Sequence, residues 1–144
     1  MEKETVLVTG GTGAVGAWCI LYLLQKDYSV KTTLRSIGIK EGVIAMLKTG
    51  GVTAFDNLQF VEADLIKGDN WEEAVKGCQY VLHVASPTHT GADVPEEEMI
   101  KPAMEGTLRI LQAAREAGVK RVVMTSSFGA VGFSNHNPDT QTTE

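Results

Sequence analysis

The stretch Val6–Trp18, VLVTGGTGAVGAW, follows an apolar run with four glycines in seven positions, at 10, 11, 13 and 16. Glycine weakens the interior of a helix or strand by about 0.5–1 kcal/mol relative to alanine, so this cluster belongs to a turn between elements. The residues before it favour a strand, and Ala14–Lys26 after it has helical character. A glycine-rich strand-to-helix turn is the form that holds a pyrophosphate, and each glycine then has a purpose. Gly10 permits the tight turn, Gly13 lets the backbone approach the ligand, and Gly16 lets the helix pack close to the strand. Free N–H groups and the dipole at the helix start favour the negative charge. Thr9, Gly10, Gly11, Thr12, Gly13, Ala14, Val15 and Gly16 are therefore the candidate phosphate-binding residues. A P-loop is excluded, because Ala17-Trp18 stand where Lys-Ser/Thr would be required.

The remaining chain alternates between two kinds of segment. Thr5–Val8, Ser29–Leu34, Leu58–Ala63, Tyr80–Ala85 and Arg121–Thr125 are short and β-branched, and most are apolar at consecutive positions, as in parallel strands covered on both faces. Ala14–Lys26, Lys40–Thr49, Trp71–Lys76 and Pro95–Ala117 read as helices. This repetition predicts an α/β fold, a doubly wound parallel sheet with right-handed crossovers. Asp93 with Glu96 fits a capping box for the fourth helix, Gly118 fits its C-cap, and Pro102 is expected to kink or restart it. With 144 residues the chain fits one domain, read as 1–133, followed by a polar, turn-like tail over 134–144 expected to be loose.

Several function classes drop out. Thirteen Lys+Arg against eighteen Asp+Glu give a net charge of −5, with the basic residues scattered, so neither nucleic acid nor anionic lipid is an expected partner. No apolar run approaches the roughly 18 residues that span a bilayer, and MEKETV lacks a signal h-region, so a cytoplasmic location is expected. Cys19 and Cys78 read as separate buried thiols, and His83, His89 and His136 lack metal-ligand spacing, so no metal site is expected.

The glycine pattern is Thr9-Gly10-x-x-Gly13-x-x-Gly16 behind VLVTG, and four further segments accompany it: FVEADL (60–65), YVLHVASP (80–87), IKPAMEGTLRIL (100–111) and GVKRVVMTSS (118–127). Together they resemble the extended short-chain dehydrogenase/reductases, within the NAD(P)-dependent epimerase/dehydratase superfamily, and specifically its dihydroflavonol-reductase-like branch. The resemblance covers nearly the whole chain. It implies a Rossmann-type sheet of about five strands in order 3-2-1-4-5, incomplete at its C-terminal side, and hydride transfer to a ketone or aldehyde. Carried over onto matching positions, Asp64 and Leu65 would face the adenine, although Asp64 suits a helix cap equally well. Val84, Ala85 and Ser86 would line the ribose and nicotinamide, Thr125 and Ser126 would contact the cofactor, and Ser127 would be the catalytic Ser that hydrogen-bonds the substrate carbonyl.

The second strand speaks to cofactor type. NAD-preferring sites place an acid roughly 20 residues beyond the loop, whereas this strand ends Thr32-Thr-Leu-Arg-Ser36. Arg35, assisted by Ser36 and Lys40, suits a 2′-phosphate and favours NADP over NAD; a plain solvated arginine is the alternative. The resemblance also implies a Tyr-x-x-x-Lys pair after the fifth strand. The one such pair here, Tyr22 and Lys26, lies on the first helix and is read as a chance match, with Tyr22 packing on the sheet and Lys26 in solvent. The expectation is the cofactor-binding part of a reductase, inactive alone, which takes a small carbonyl substrate once a C-terminal part completes it. A non-catalytic NADP-binding or redox-sensing module and a nucleotide-sugar epimerase/dehydratase relative are the alternatives. An unpaired, apolar fifth strand predicts a homodimer or larger assembly through that edge, with the fourth helix as the competing contact.

Overall fold

The structure, a computed structural model, describes residues 3–87 and 94–127. In chain order the elements are β1 (Thr5–Val8), α1 (Ala14–Gln25), β2 (Ser29–Leu34), a single 3-10 turn (Ile37–Ile39), α2 (Lys40–Thr49), β3 (Leu58–Glu62), α3 (Trp71–Val75), β4 (Tyr80–His83), α4 (Glu96–Glu116) and β5 (Arg121–Met124). All pairings are parallel and the sheet order is β3-β2-β1-β4-β5. The predicted Rossmann-type topology is therefore present. The expected tail, 134–144, and the residues Asp93, His89 and His136 lie outside the described residues.

Strand alternation sends neighbouring side chains to opposite faces, and two apolar cores follow from it. Val8 of β1, with Val30, Leu34 and Leu58, packs under Ile20 and Leu21 of α1 and Val43 and Leu47 of α2. Leu7, one residue away, joins Val81 on the other face beneath Trp71, Ala74 and Val75 of α3 and Ile110, Ala113 and Ala114 of α4. Burial on both faces explains why the strands read as continuous apolar runs. Cys78 is buried, Cys19 is half-buried, and both are free thiols.

Some boundaries differ from expectation. The N-cap of α4 is Pro95, with no side-chain cap bond; Glu96, Glu97 and Glu98 instead place three carboxylates in the positive first turn. Asp93 of the expected capping box lies outside the described residues. Pro102 does not restart the helix, since α4 runs unbroken through that residue. Its C-terminus follows the expected glycine rule: Gly118 has φ +70, its N–H bonds Arg115 O, and Val119 N–H bonds Ala114 O at 2.9 Å, closing a Schellman motif. Strands β3 and β5 are the outer strands of this sheet, and on β5 Val123 and Met124 are more than half exposed. Among the described residues no helix is long and apolar enough to cross a membrane.

Candidate cofactor site

The glycine turn sits where the strand order reverses, with β1 sending its chain one way to β2 while β4 lies on its other side. Ligands of open α/β sheets occupy the crevice at such a point, outside the carboxyl ends of the strands. Gly10 has φ +76, and a Cβ there would also come within 3.0 Å of Ala85 Cβ. A Cβ on Gly16 would lie 2.2 Å from the carbonyl oxygen of Gly10, so this glycine lets the first turn of α1 close on the loop itself rather than on the strand. Gly11 is buried against the Thr32 hydroxyl. At Gly13, by contrast, a Cβ would meet nothing closer than 3.5 Å, and Thr12, Gly13, Ala14 and Val15 are exposed at the rim. Gly13 is the N-cap of α1, with no side-chain cap and no acid in the first turn. A helix start that is backbone-lined, uncapped and open fits a pyrophosphate.

Two threonines of β2 hold this turn: Thr33 Oγ1 accepts from Gly10 N–H at 3.3 Å, and Thr32 Oγ1 donates to Val8 O at 2.9 Å. A third, Thr9, is fully buried and forms the hub of the neighbouring crevice wall. Its Oγ1 accepts the N–H groups of Val84 and Ala85, both at 3.0 Å, and lies 2.9 Å from His83 Nδ1. His83 Nε2 in turn reaches Thr107 Oγ1 of α4 at 3.3 Å. Burial pushes the His83 pKa below its ordinary value. His83 and Thr107 escaped the sequence reading, because a histidine in an apolar strand carries no signal of a partner 24 residues away. The consecutive Thr32 and Thr33 were a signal that could have been used, since buried hydroxyls in a central strand must bond to something.

Other predicted residues are distributed as follows. Arg35 stands exposed just past β2 and makes no ion pair among the described residues. Ser36 Oγ accepts from Gly38 N–H at 3.4 Å and caps the 3-10 turn. The Lys40 ammonium lies 5.3 Å from the centre of the Phe60 ring. Although β2 carries no acid at its end, β3 brings Glu62 alongside Leu34, and its Oε2 accepts from Ile37 N–H at 2.9 Å. Asp64 Oδ1 accepts from Ile66 N–H at 2.9 Å, an Asx-type turn close to the capping alternative, whereas the Leu65 side chain is buried against α4. Ser86, Thr125, Ser126 and Ser127 are exposed at the ends of β4 and β5, on the same side of the sheet as the glycine turn. Thr125 N–H bonds His83 O at 3.1 Å. Tyr22 does not pack on the sheet as expected. It is 60% exposed, with the Lys26 ammonium 5.5 Å from its ring centre, because it borders an open cavity with Leu82 and Val123 rather than a packed core.

A parallel sheet of this order with a glycine turn at its switch point defines a Rossmann-type α/β domain. The chain belongs to the NAD dependent epimerase/dehydratase family, whose model matches residues 6–144. It is 43% identical over 133 residues to the dihydroflavonol 4-reductase of Hordeum vulgare, covering 92% of this chain and 37% of that protein. It is 39% identical over 130 residues to an anthocyanidin reductase ((2S)-flavan-3-ol-forming) of Vitis vinifera, covering 90% and 38%. Among solved structures, the vestitone reductase of alfalfa (Medicago sativa) superposes with a TM-score of 0.71 at 37% identity, over 91% of this chain and 38% of that one. A yeast methylglyoxal/isovaleraldehyde reductase complexed with NADPH gives 0.68 at 28% identity, over 88% and 38%. The chain thus spans well under half the length of these relatives.

Proposed function

We propose that this chain forms the NADP(H)-binding part of an oxidoreductase that moves hydride between the nicotinamide and a ketone, an aldehyde or the corresponding secondary alcohol. The observation that carries the reading is the glycine turn, in which Gly16 closes against Gly10 while Gly13 leaves the uncapped start of α1 open. Names of relatives support the class, since they are reductases and one is complexed with NADPH. When bound, the dinucleotide supplies the hydride. The chain's own residues hold it: the 10–16 turn takes the pyrophosphate, Arg35 with Ser36 and Lys40 takes the 2′-phosphate, Asp64 meets the adenine, and Val84–Ser86 with Thr125 and Ser126 line the nicotinamide side. Ser127 offers its hydroxyl to the substrate carbonyl. Tyr22 on α1 and Lys26 at its C-cap, far in sequence from Ser127, are not assigned the proton transfer; the relatives' greater length leaves room for that donor and for the substrate pocket. The domain associates as a homodimer through the exposed edge of β5, whose outer backbone groups offer a pairing template to a second copy.

Cofactor choice tests this reading. A charge-assisted contact from Arg35 is worth about 1.5–3 kcal/mol, so NADPH should bind about 10- to 150-fold more tightly than NADH. Calorimetric titration of both cofactors into the wild type and Arg35→Ala should show the gap and then its loss. Equal wild-type affinities, or a preference for NADH with Glu62 turned to the ribose, would contradict it.

A further inference from the structure

We propose that His83 is a positioning residue for the nicotinamide side of the crevice: as the Nε2–H tautomer it accepts the Thr9 hydroxyl hydrogen on Nδ1, which aims both lone pairs of Thr9 Oγ1 at the N–H groups of Val84 and Ala85. The inference rests on the cofactor reading above only for what the crevice binds. The tautomer follows from counting. A hydroxyl has one hydrogen and two lone pairs. Three partners surround Thr9 Oγ1, at 2.9, 3.0 and 3.0 Å. Two of them are backbone N–H groups, which can only donate, and they take both lone pairs. The remaining partner, His83 Nδ1, must therefore accept. Were Nδ1 protonated, three donors would converge on one oxygen and the hydroxyl hydrogen would be stranded at a residue with 0% exposure. A neutral imidazole that accepts on Nδ1 carries its hydrogen on Nε2, where Thr107 Oγ1 stands 3.3 Å away to receive it.

The groups around His83 are consistent with a neutral ring. Just past β1 it meets Thr9, on β5 its register partner is Met124, and on α4 its partner is Thr107, none of them charged. The α4 charges nearest in sequence, Glu105 and Arg109, pair with one another at 3.2 Å, and Arg109 also donates to Leu65 O. Burial lowers the pKa of the ring, in the same direction as the bonding requires. The consequence reaches the glycine turn directly. Ala85 is the residue against which Gly10 closes, so backbone N–H groups released from Thr9 would move the wall that shapes the turn. One hydrogen-bond chain thus ties the ends of β1 and β4 to α4 and fixes the crevice before any ligand arrives.

Two measurements test it. A long-range 1H–15N spectrum of the labelled 144-residue chain, with His83 assigned by its loss in His83→Asn, should show hydrogen on Nε2 and none on Nδ1; the reverse pattern overturns the proposal. NADPH titrations then compare variants. His83→Asn keeps an acceptor near the place of Nδ1 and should bind within about threefold of wild type, whereas His83→Leu removes the acceptor and should bind about tenfold more weakly. An unweakened Leu variant, or an Asn variant as weak as Leu, contradicts the positioning role. If His83→Leu does not fold, the wild-type spectrum and the Asn variant still decide. A wild type that binds no NADPH while showing the Nε2–H tautomer would sink the cofactor reading and leave the network standing.

Discussion

Gly13 and Gly16 occupy equivalent places in the glycine pattern, yet a methyl group added to each would meet different surroundings. At Gly16 it would lie 2.2 Å from a backbone oxygen that cannot step aside, so Gly16→Ala should lower stability by about 1–3 kcal/mol or more and depress Tm. At Gly13 the nearest atom is 3.5 Å away and the backbone, φ −83 and ψ 156, suits any residue. Gly13→Val should therefore keep the wild-type Tm while blocking the approach to the start of α1, with NADPH binding weakened by at least about tenfold. Thermal unfolding and calorimetry on both variants check the pair; a Gly13→Val that binds normally would place the phosphate elsewhere. Residue roles of this kind were legible wherever one residue type answers one local demand, as with Gly10 and its positive φ. Roles assembled from distant segments were not: Glu62 reaches the turn after β2 through strand pairing, and Thr9, His83 and Thr107 meet only once the sheet and α4 are folded.

Strand identities could be read from consecutive apolar positions, but strand ends could not. β4 stops at His83, two residues short of expectation, because the N–H groups of Val84 and Ala85 turn to the Thr9 hydroxyl instead of a neighbouring strand. The 3-10 turn at Ile37–Ile39 escaped notice for a similar reason, since Ser36 caps it locally while Glu62 anchors it from another strand. The elements joined at His83 should share a pH response. The unfolded-state pKa is near 6.5 and burial lowers the folded one, so the unfolded chain binds the proton first. The stabilisation is complete above about pH 6.5 and is lost as pH falls through the folded value. Chemical denaturation of wild type should show that loss on acidification, and His83→Asn should flatten it. A His83→Asn profile with the same slope as wild type would contradict this assignment.

At the scale of the molecule, apolar side chains also lie exposed outside the two helix–sheet cores. Val123 and Met124 of β5 are exposed, as are Ile100, Met104, Leu108 and Leu111 along α4, and a cavity of about 550 Å3 opens beside β5 between Tyr22, Leu82 and Val123. A dimer through β5 should dissociate in Val123→Lys, measured by light scattering; an unaffected oligomer would move the contact to α4. The topology was legible from the alternation of segments, whereas which apolar residues stay exposed depends on how the helices pack across the sheet, which no local pattern encodes. The central claim is that the glycine turn at the switch point holds a dinucleotide. Titrating NADPH into the 15N-labelled chain and following backbone amides tests it most directly. The account predicts saturable shifts at residues 10–16, at Arg35 and Ser36, and at Val84–Ser86. Shifts gathered instead in the larger cavity of about 870 Å3 between α3 and α4, around Asp69 and Arg109, or no saturable shift at all, would contradict it.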